Sequence, residues 1–476
     1  MKLTRKNLTI NEAENLSIEE IKNLYTEFVN PKQTKIFSNF PFGKDVFSKA
    51  EGMYIFTKEN KKILDFTGGL GVLNHGHNNK RIMNTRIEFA KKSKMEVHKL
   101  VFSPYLAALS HNLSNILGSD LKRTFLCNSG AEAVEGAMKL AYRANKGKKF
   151  ILSSDKSYHG KLIASGTISG SQIKNNVFPK ISNNEFFEFN DINSLSKKLS
   201  ELESKGGVYA VIIEPFSATL LKGCSSEFIN GLIELRKKYK FSIICDEVYC
   251  AWYKCGEFFY FQKFSGFDPD IITLSKSIGG GKSSLSALVS NTKTYDKVYG
   301  SYETATLHTT TYNGFGEECA TAIEAINILI DENYEKKVKS IEKKILENLK
   351  RLSEKYPKKI KGYQGEGSLF GIEFYSLIDQ FEKLLINIPS EKIKSKGTLI
   401  SKLNIASICS KLYSQHKILS FISESNNSNF LYVAPSLIVS DDEIKYFFDS
   451  IEKVINENID LELIKYILKT AYNVIK

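Results

Sequence analysis

Three apolar runs in this chain end on ionisable residues, and this constrains the fold more than any other feature. Val208-Tyr-Ala-Val-Ile-Ile213 leads into Glu214-Pro215, Phe241-Ser-Ile-Ile-Cys245 into Asp246-Glu247, and Ile271-Ile-Thr-Leu-Ser275 into Lys276. Continuous apolar runs of this length suit strands buried on both faces, as in a parallel sheet covered by helices. Their ends gather two acids and a lysine at the carboxyl edge of the sheet, where open α/β sheets bind ligands. A lysine held there is desolvated, its pKa falls, and its free amine can attack a carbonyl.

The rest of the chain agrees with that class. Between about residues 100 and 325, apolar runs (Thr124–Cys127, Phe150–Ser153, Val208–Ile213, Phe241–Cys245, Ile271–Leu274, Ala287–Ser290) alternate with helical patterns at Glu132–Asn145, Glu227–Tyr239 and Gly316–Asp331. The alternation predicts an α/β fold with a mostly parallel central sheet in a large domain. Upstream, the spacing predicts a helix over Ser17–Phe28 and a hairpin over Gly52–Phe66, turning at Glu59-Asn60. Downstream, Lys/Glu-rich amphipathic helices (Glu335–Lys355, Asp441–Glu457) bracket short strands at Ser368–Phe374 and Phe430–Val433, a smaller α+β domain. The expected division is 1–65, an N-terminal segment that joins the small domain, 66–330 and 331–476.

Composition narrows the setting. The 476 residues are 42% hydrophobic and 25% charged, ordinary for a globular chain. No apolar stretch approaches the roughly 20 residues of a membrane helix, and no signal-peptide core follows the N-terminus. Seven scattered cysteines, with only Cys250 and Cys255 close together, predict free thiols in a reducing cytoplasm and no metal site. The net charge of +13 raises the question of a nucleic-acid partner. The lysines are spread along the chain without interleaved aromatics, so no specific one is expected.

Three short strings carry further chemistry. In Asn128-Ser-Gly-Ala-Glu-Ala-Val-Glu-Gly-Ala137, a strand end meets a helix start. Ser129, Gly130 and Ala131 there offer a hydroxyl and backbone N–H groups to an anion. Tyr158-His159-Gly160 follows another strand, and an aromatic before a glycine can lie against a planar ligand. His308-Thr-Thr-Thr-Tyr-Asn-Gly314 is a hydroxyl-rich turn suited to phosphate. A lysine for an aldehyde, an acid for a ring nitrogen, an aromatic for a ring face and donors for a phosphate together match pyridoxal 5′-phosphate.

At these residues, from about Gly52 to the C-terminus, the chain resembles the class III (ω-type) aminotransferases of the fold-type I pyridoxal phosphate enzymes. It is most similar to the putrescine and ornithine/acetylornithine branch. The resemblance implies that Lys276 forms the Schiff base with the cofactor and shuttles the proton, while Asp246 keeps the pyridine nitrogen protonated. It implies Tyr158 on one ring face with His159 beside it, Val248 on the other face, and Ser129, Gly130 and Ala131 on the phosphate. Glu214 is a further acid near Asp246. The resemblance also implies that Thr311 reaches the phosphate of the neighbouring subunit, and hence a homodimer. The expected reaction moves an amino group from an amine or amino acid to an oxo acceptor. An epimerase, racemase or aminomutase on the same scaffold is the alternative, and a scaffold retired from catalysis is a more distant one.

Departures from the family concern substrate choice. Where the family reads Glu-Pro-Ile-Gln-Gly-Glu, this chain has Glu214-Pro-Phe-Ser-Ala-Thr219. Where many members carry an arginine that grips a carboxylate, before an Ala-Pro-Pro-Leu-like string, it has Tyr432. In relatives such as ornithine aminotransferase that glutamate and arginine pair. Removing only one would leave a buried charge uncompensated at roughly 3–5 kcal/mol, so joint loss is physically sensible. Tyr432 cannot replace a guanidinium, which predicts that no α-carboxylate is clamped in the usual way. Tyr249 stands where glutamine is usual, and its hydroxyl can likewise reach the cofactor's ring oxygen. Gly314-Phe315-Gly316 replaces Gly-Asn-Pro, and residues 376–400 form a longer connection than the family's.

Overall fold

The structure, a computed structural model, describes residues 7–171, 183–375, 404–422 and 429–457. The long connection at 376–400 lies outside them. The first sheet contains β1 (Phe47–Glu51), β2 (Tyr54–Thr57) and β3 (Lys62–Asp65), paired antiparallel. The β2–β3 turn passes through Asn60 at φ 60°, a conformation asparagine tolerates.

The central sheet has seven strands: β4 (Leu121–Cys127), β5 (Phe150–Ser154), β6 (Asn184–Phe187), β7 (Val208–Ile213), β8 (Ser242–Asp246), β9 (Ile271–Leu274) and β10 (Ser286–Asn291). Their spatial order is β4-β10-β9-β8-β7-β5-β6. Only β10 runs against its neighbours, so the sheet is mostly parallel, as the apolar runs predict. Successive residues divide between two cores. Ile212, Ile244 and Ile271 join the cluster under the Gly130–Ala144 helix, whereas Val211, Ile213, Ile243 and Ile272 join the larger cluster on the other face. That larger cluster includes Leu195, Leu199, Phe228 and Leu232, from the Ile192–Glu203 and Ser226–Tyr239 helices. Burial on both faces explains why these strands read as unbroken apolar runs.

The Gly130–Ala144 helix sits unusually close to the sheet. Its buried side is Ala133, Val134, Gly136, Ala137, Leu140 and Ala141, and a Cβ on Gly136 would lie 2.5 Å from Leu288 Cδ2. Small residues there set the depth at which the helix start meets the strand ends.

The C-terminal region forms a second antiparallel sheet from β11 (Ile360–Glu366), β12 (Leu369–Phe374) and, after β13 (Ile418–Leu419), β14 (Leu431–Val433). β13 instead runs parallel to β3, pairing Ile418 with Leu64. The helices predicted at Gly316–Asp331, Glu335–Lys355 and Asp441–Glu457 appear at Gly316–Asp331, Tyr334–Lys355 and Asp441–Asn456. The N-terminal helix is shorter than its pattern. Ser17 caps Ile18–Leu24 through a capping box with Glu20, and Tyr25–Val29 continues as a π turn. No helix among the described residues is long and apolar enough to cross a membrane.

The Tyr334–Lys355 and Asp441–Asn456 helices are bridged by Glu452, which accepts from Lys355, Arg351 and Tyr356. These contacts, Lys355 foremost and then Arg351, pull the Glu452 carboxyl down to about 2. A carboxylate depressed by folding stabilises above its unfolded pKa and loses that contribution as pH falls from about 4.5 to about 2. Because the lysine and arginine are largely solvated, the contribution is about 1 kcal/mol. Urea denaturation of Glu452→Gln should show this deficit at pH 7 and none near pH 2; an equal deficit at both would contradict it.

Candidate active site

β8 and β9 place the two central groups. They are parallel with Asp246 opposite Thr273, so Lys276 begins just beyond the end of β9 beside Asp246. Asp246 is buried, and its carboxylate is held on both oxygens. Oδ1 accepts from Thr273 Oγ1 at 2.9 Å and from the Val248 N–H at 3.1 Å. Oδ2 lies 2.7 Å from His159 Nδ1. His159 is also buried, and its Nε2 has no hydrogen-bond partner. An imidazole protonated on Nδ1 satisfies this contact as a donor.

Lys276 opens a 3-10 turn, Lys276–Gly279, with φ 55°. A non-glycine residue in the left-handed region is strained and persists only where its surroundings fix it. Here they do. Trp252 Nε1 donates to the Ser275 carbonyl at 3.0 Å, Ser286 Oγ to Ser275 Oγ at 2.7 Å, and Ser277 Oγ to the Val72 carbonyl at 2.8 Å. The lysine is aimed by its neighbours on both sides. Its Nζ stands 5.1 Å from the centroid of the Tyr249 ring. Burial lowers its pKa, and the Asp246 charge opposes this in part.

A cavity of about 380 Å³ opens in front of these groups. Ser129, Gly130, Ala131, Tyr158, His159, Asp246, Val248 and Lys276 all line it. Ser129 caps the Gly130–Ala144 helix, accepting the Glu132 N–H, and the first turn of that helix faces the cavity. A Cβ on Gly130 would lie 3.0 Å from Val248 Cγ1, so glycine lets the helix start meet the β8 exit. A second cavity of about 610 Å³ shares Tyr158, Lys161, Asp246, Val248 and Lys276 and extends toward Glu214, Thr219, Tyr249 and Tyr432. Glu214 accepts the Tyr158 N–H at 2.9 Å. Burial, and then the Asp246 charge, raise its pKa well above the usual carboxylate range. The Tyr249 hydroxyl is buried without a hydrogen-bond partner.

Thr311 stands apart from the other residues expected on the cofactor, as does the rest of the His308–Gly314 turn. It is exposed on a turn and lines neither cavity. Several residues that shape the site escaped the sequence reading. Thr273, Trp252, Ser275, Ser277 and Ser286 act by hydrogen bonds between elements distant in the chain. Only the register of β8 against β9 points to Thr273. Lys161, which lines both cavities, follows directly after Tyr158-His159-Gly160 and was readable as a neighbour of that string.

Residues 43–455 match the family described as Aminotransferase class-III. Solved structures share the fold over nearly the whole chain. Ornithine aminotransferase from Toxoplasma gondii ME49 is 22% identical with a TM-score of 0.75, covering 94% of this chain and 98% of its own. Adenosylmethionine-8-amino-7-oxononanoate aminotransferase from Methanocaldococcus jannaschii DSM 2661 is 21% identical with a TM-score of 0.78, covering 92% and 98%. A thermostable (S)-enantioselective omega-transaminase from Thermomicrobium roseum is 20% identical with a TM-score of 0.73, covering 87% and 93%.

Proposed function

The chain belongs to the class III aminotransferases, which transfer amino groups with pyridoxal 5′-phosphate, and we propose that it does so through Lys276 and Asp246. The observation that carries this assignment is that both face one cavity, across adjacent strand ends, beside the start of a helix. The residues present fit the cofactor. The orphaned Tyr249 hydroxyl awaits an acceptor, Gly130 lets the helix start close against Val248 at the cavity, and a half-buried lysine of lowered pKa stands at hand.

When bound, pyridoxal phosphate supplies an aldehyde that takes up an amine and a pyridinium that draws electrons from the cleaved C–H bond. As a neutral amine Lys276 would bind the aldehyde, and as the free amine it would carry the proton from the substrate carbon. Asp246 would hold a proton at the pyridine nitrogen, while Thr273, Val248 and His159 fix its orientation. Ser129, Gly130 and Ala131 hold the phosphate with a hydroxyl and helix N-terminal N–H groups. Tyr158 and Val248 would hold the two ring faces, and Tyr249 would donate to the ring oxygen. Glu214, whose pKa burial and the Asp246 charge push well above the usual carboxylate range, backs Asp246. Residues 66–330 carry this machinery, and the 331–476 domain, with the 1–65 segment joined to it, brings Tyr432 over the substrate side. Seven buried free thiols suit a cytoplasmic location. Incubation with amine and oxo acid tests the assignment. Release of a carbonyl product with a new amino acid supports it, whereas inversion or migration of the amino group without carbonyl release would replace it by the mutase or epimerase reading.

The working unit is a homodimer in which Thr311 binds the phosphate of the other subunit. In support, Leu100, Phe102 and Tyr302 are more than nine-tenths exposed on the single chain, an apolar surface that a second copy would cover. Thr311→Ala should weaken cofactor affinity about tenfold, the worth of one hydrogen bond to a charged group. Mixing Thr311→Ala with Lys276→Ala chains should restore one tight, active site per hybrid dimer. No restoration would mean that Thr311 serves its own subunit or none.

A further inference from the structure

Four consecutive residues, Gly68–Gly71, take φ values of 54°, 58°, 58° and 89°, a left-handed turn beside the cavity of about 610 Å³. Leu70, the one member of the four with a Cβ, holds this conformation without a glycine's tolerance for it. A run of this kind persists only where its surroundings fix it. Local bonds supply part of the hold. The Gly69 N–H donates to Thr67 Oγ1 at 3.2 Å and the Leu70 N–H to the Thr67 carbonyl at 3.1 Å, while Asp65 Oδ1 accepts the Thr67 N–H at 2.8 Å. The far end of the turn lies on Tyr249. A Cβ on Gly71 would lie 3.1 Å from Tyr249 Cζ, and the centroid of the same ring stands 5.1 Å from Lys276 Nζ.

The rest of the hold comes from a buried ammonium that the proposed chemistry does not use. Lys254 is 1% exposed, and its Nζ donates to the Ala434 carbonyl at 3.1 Å and to the Pro435 carbonyl at 2.8 Å. These groups meet the turn at Gly68, where a Cβ would lie 2.3 Å from the Ala434 oxygen and 3.4 Å from Lys254 Nζ. The Lys254 carbonyl accepts the Ser368 N–H at 3.0 Å, so one residue grips the chain just before β12 and just after β14. Burial draws the Lys254 pKa down to about 8, while Cys255 and then Asp65 favour the ammonium, so the group is charged near neutral pH. A well-packed apolar side chain would fill this space without the desolvation of a charge. What the ammonium adds is direction, because it fixes two carbonyls at the point where Gly68 rests.

Building on the function proposed above, we infer that Lys254 is a positioning residue that holds Ala434 against Gly68, so that the left-handed turn keeps Gly71 on the Tyr249 ring and the Tyr249 hydroxyl aimed at the cofactor. That hydroxyl is buried without a hydrogen-bond partner among the described residues, so its aim depends on what packs against the ring. Without the ammonium, the Ala434 and Pro435 carbonyls lose donors inside the fold and shift to find others. Ala434 then leaves Gly68, the strained turn relaxes, and Tyr249 loses the backbone that fixes it.

The test follows backbone hydrogen exchange in the cofactor-free full-length chain and, separately, the affinity of that chain for pyridoxal phosphate. In the wild type the amides of Gly69, Leu70 and Leu73 should be protected, the last donating to the Gly68 carbonyl at 3.0 Å. Lys254→Met, which keeps the length of the side chain and removes the ammonium, should speed their exchange about tenfold and leave Val208–Ile213 unchanged. It should also weaken pyridoxal phosphate binding about tenfold, the worth of the one hydrogen bond that Tyr249 contributes. In a Tyr249→Phe background, where that bond is already gone, the same substitution should change affinity less than about twofold. Gly68→Ala, which drives a methyl group against the Ala434 oxygen with Lys254 intact, should reproduce both effects, and it carries the test if Lys254→Met does not fold. Unprotected 69–73 amides in the wild type, unchanged exchange in the variants, or equal affinity losses in the two backgrounds would overturn the inference and leave the aminotransferase assignment standing. A wild type that binds no pyridoxal phosphate would overturn the function proposed above, and the inference with it.

Discussion

Lys276→Ala should abolish the visible absorption of the cofactor-loaded protein and lower turnover by about 10²–10⁴-fold or more, the range attributed to a positioned proton-transfer group alone. The argument rests on position. Lys276 is half-buried beside the carboxylate of Asp246, at the end of a strand and with its φ in the left-handed region. Three hydrogen bonds of its flanking serines hold that conformation, so alanine inherits the backbone and loses the amine together with its methylene stem. Thermal stability of the cofactor-free variant should stay close to wild type, which separates lost chemistry from lost fold. In the wild-type protein, cofactor uptake should accelerate with rising pH through a midpoint below the usual lysine range, since burial disfavours the ammonium. Uptake independent of pH, or a variant that keeps its visible band and its turnover, would remove Lys276 from the reaction.

Asp246→Asn should cost about 10²–10³-fold in turnover, comparable to removing one preorganised electrostatic partner from a reaction centre. The substitution keeps the shape and removes the charge. Asparagine's carbonyl can still accept from Thr273 and from the Val248 N–H. Its NH2 then faces His159, which must accept on Nδ1 and carry its proton on Nε2, where no partner exists. The variant should therefore also unfold at a slightly lower temperature and bind the cofactor more weakly. Steady-state rates under saturating cofactor, with affinity measured separately, distinguish the two effects. A loss wholly recovered by excess cofactor would assign Asp246 to binding alone.

Much of the fold was legible because the strands that build it are buried on both faces. Val208–Ile213 and Ile271–Leu274 read as strands and are strands with the same bounds. β6 and β11 were not legible. Asn184-Glu-Phe-Phe187 is four residues long and half polar, and Ile360-Lys-Gly-Tyr-Gln-Gly-Glu366 is largely exposed or half-buried, held by pairing with β12. The Tyr25–Val29 π turn could not be foreseen from apolar spacing, which continues unbroken through it. In the site, residues that carry chemistry in their own side chains stood out as short strings. Those that act by orienting others did not. Thr273 lies within an apolar run, and its hydroxyl matters only because β8 and β9 align it with Asp246. Trp252 donates to Ser275 across a long stretch of sequence, a contact that no local pattern encodes.

The pairing of Ile418 with Leu64 ties an early hairpin to a segment made much later. During synthesis, β1–β3 leaves the ribosome with one edge bare and waits while the whole central sheet emerges. That edge, carrying Ile63 and Leu64, is open to mispairing with another nascent chain throughout the delay. Non-local closure of this kind makes the last docking step slow. Chaperone dependence should therefore track this strand junction rather than the cofactor site.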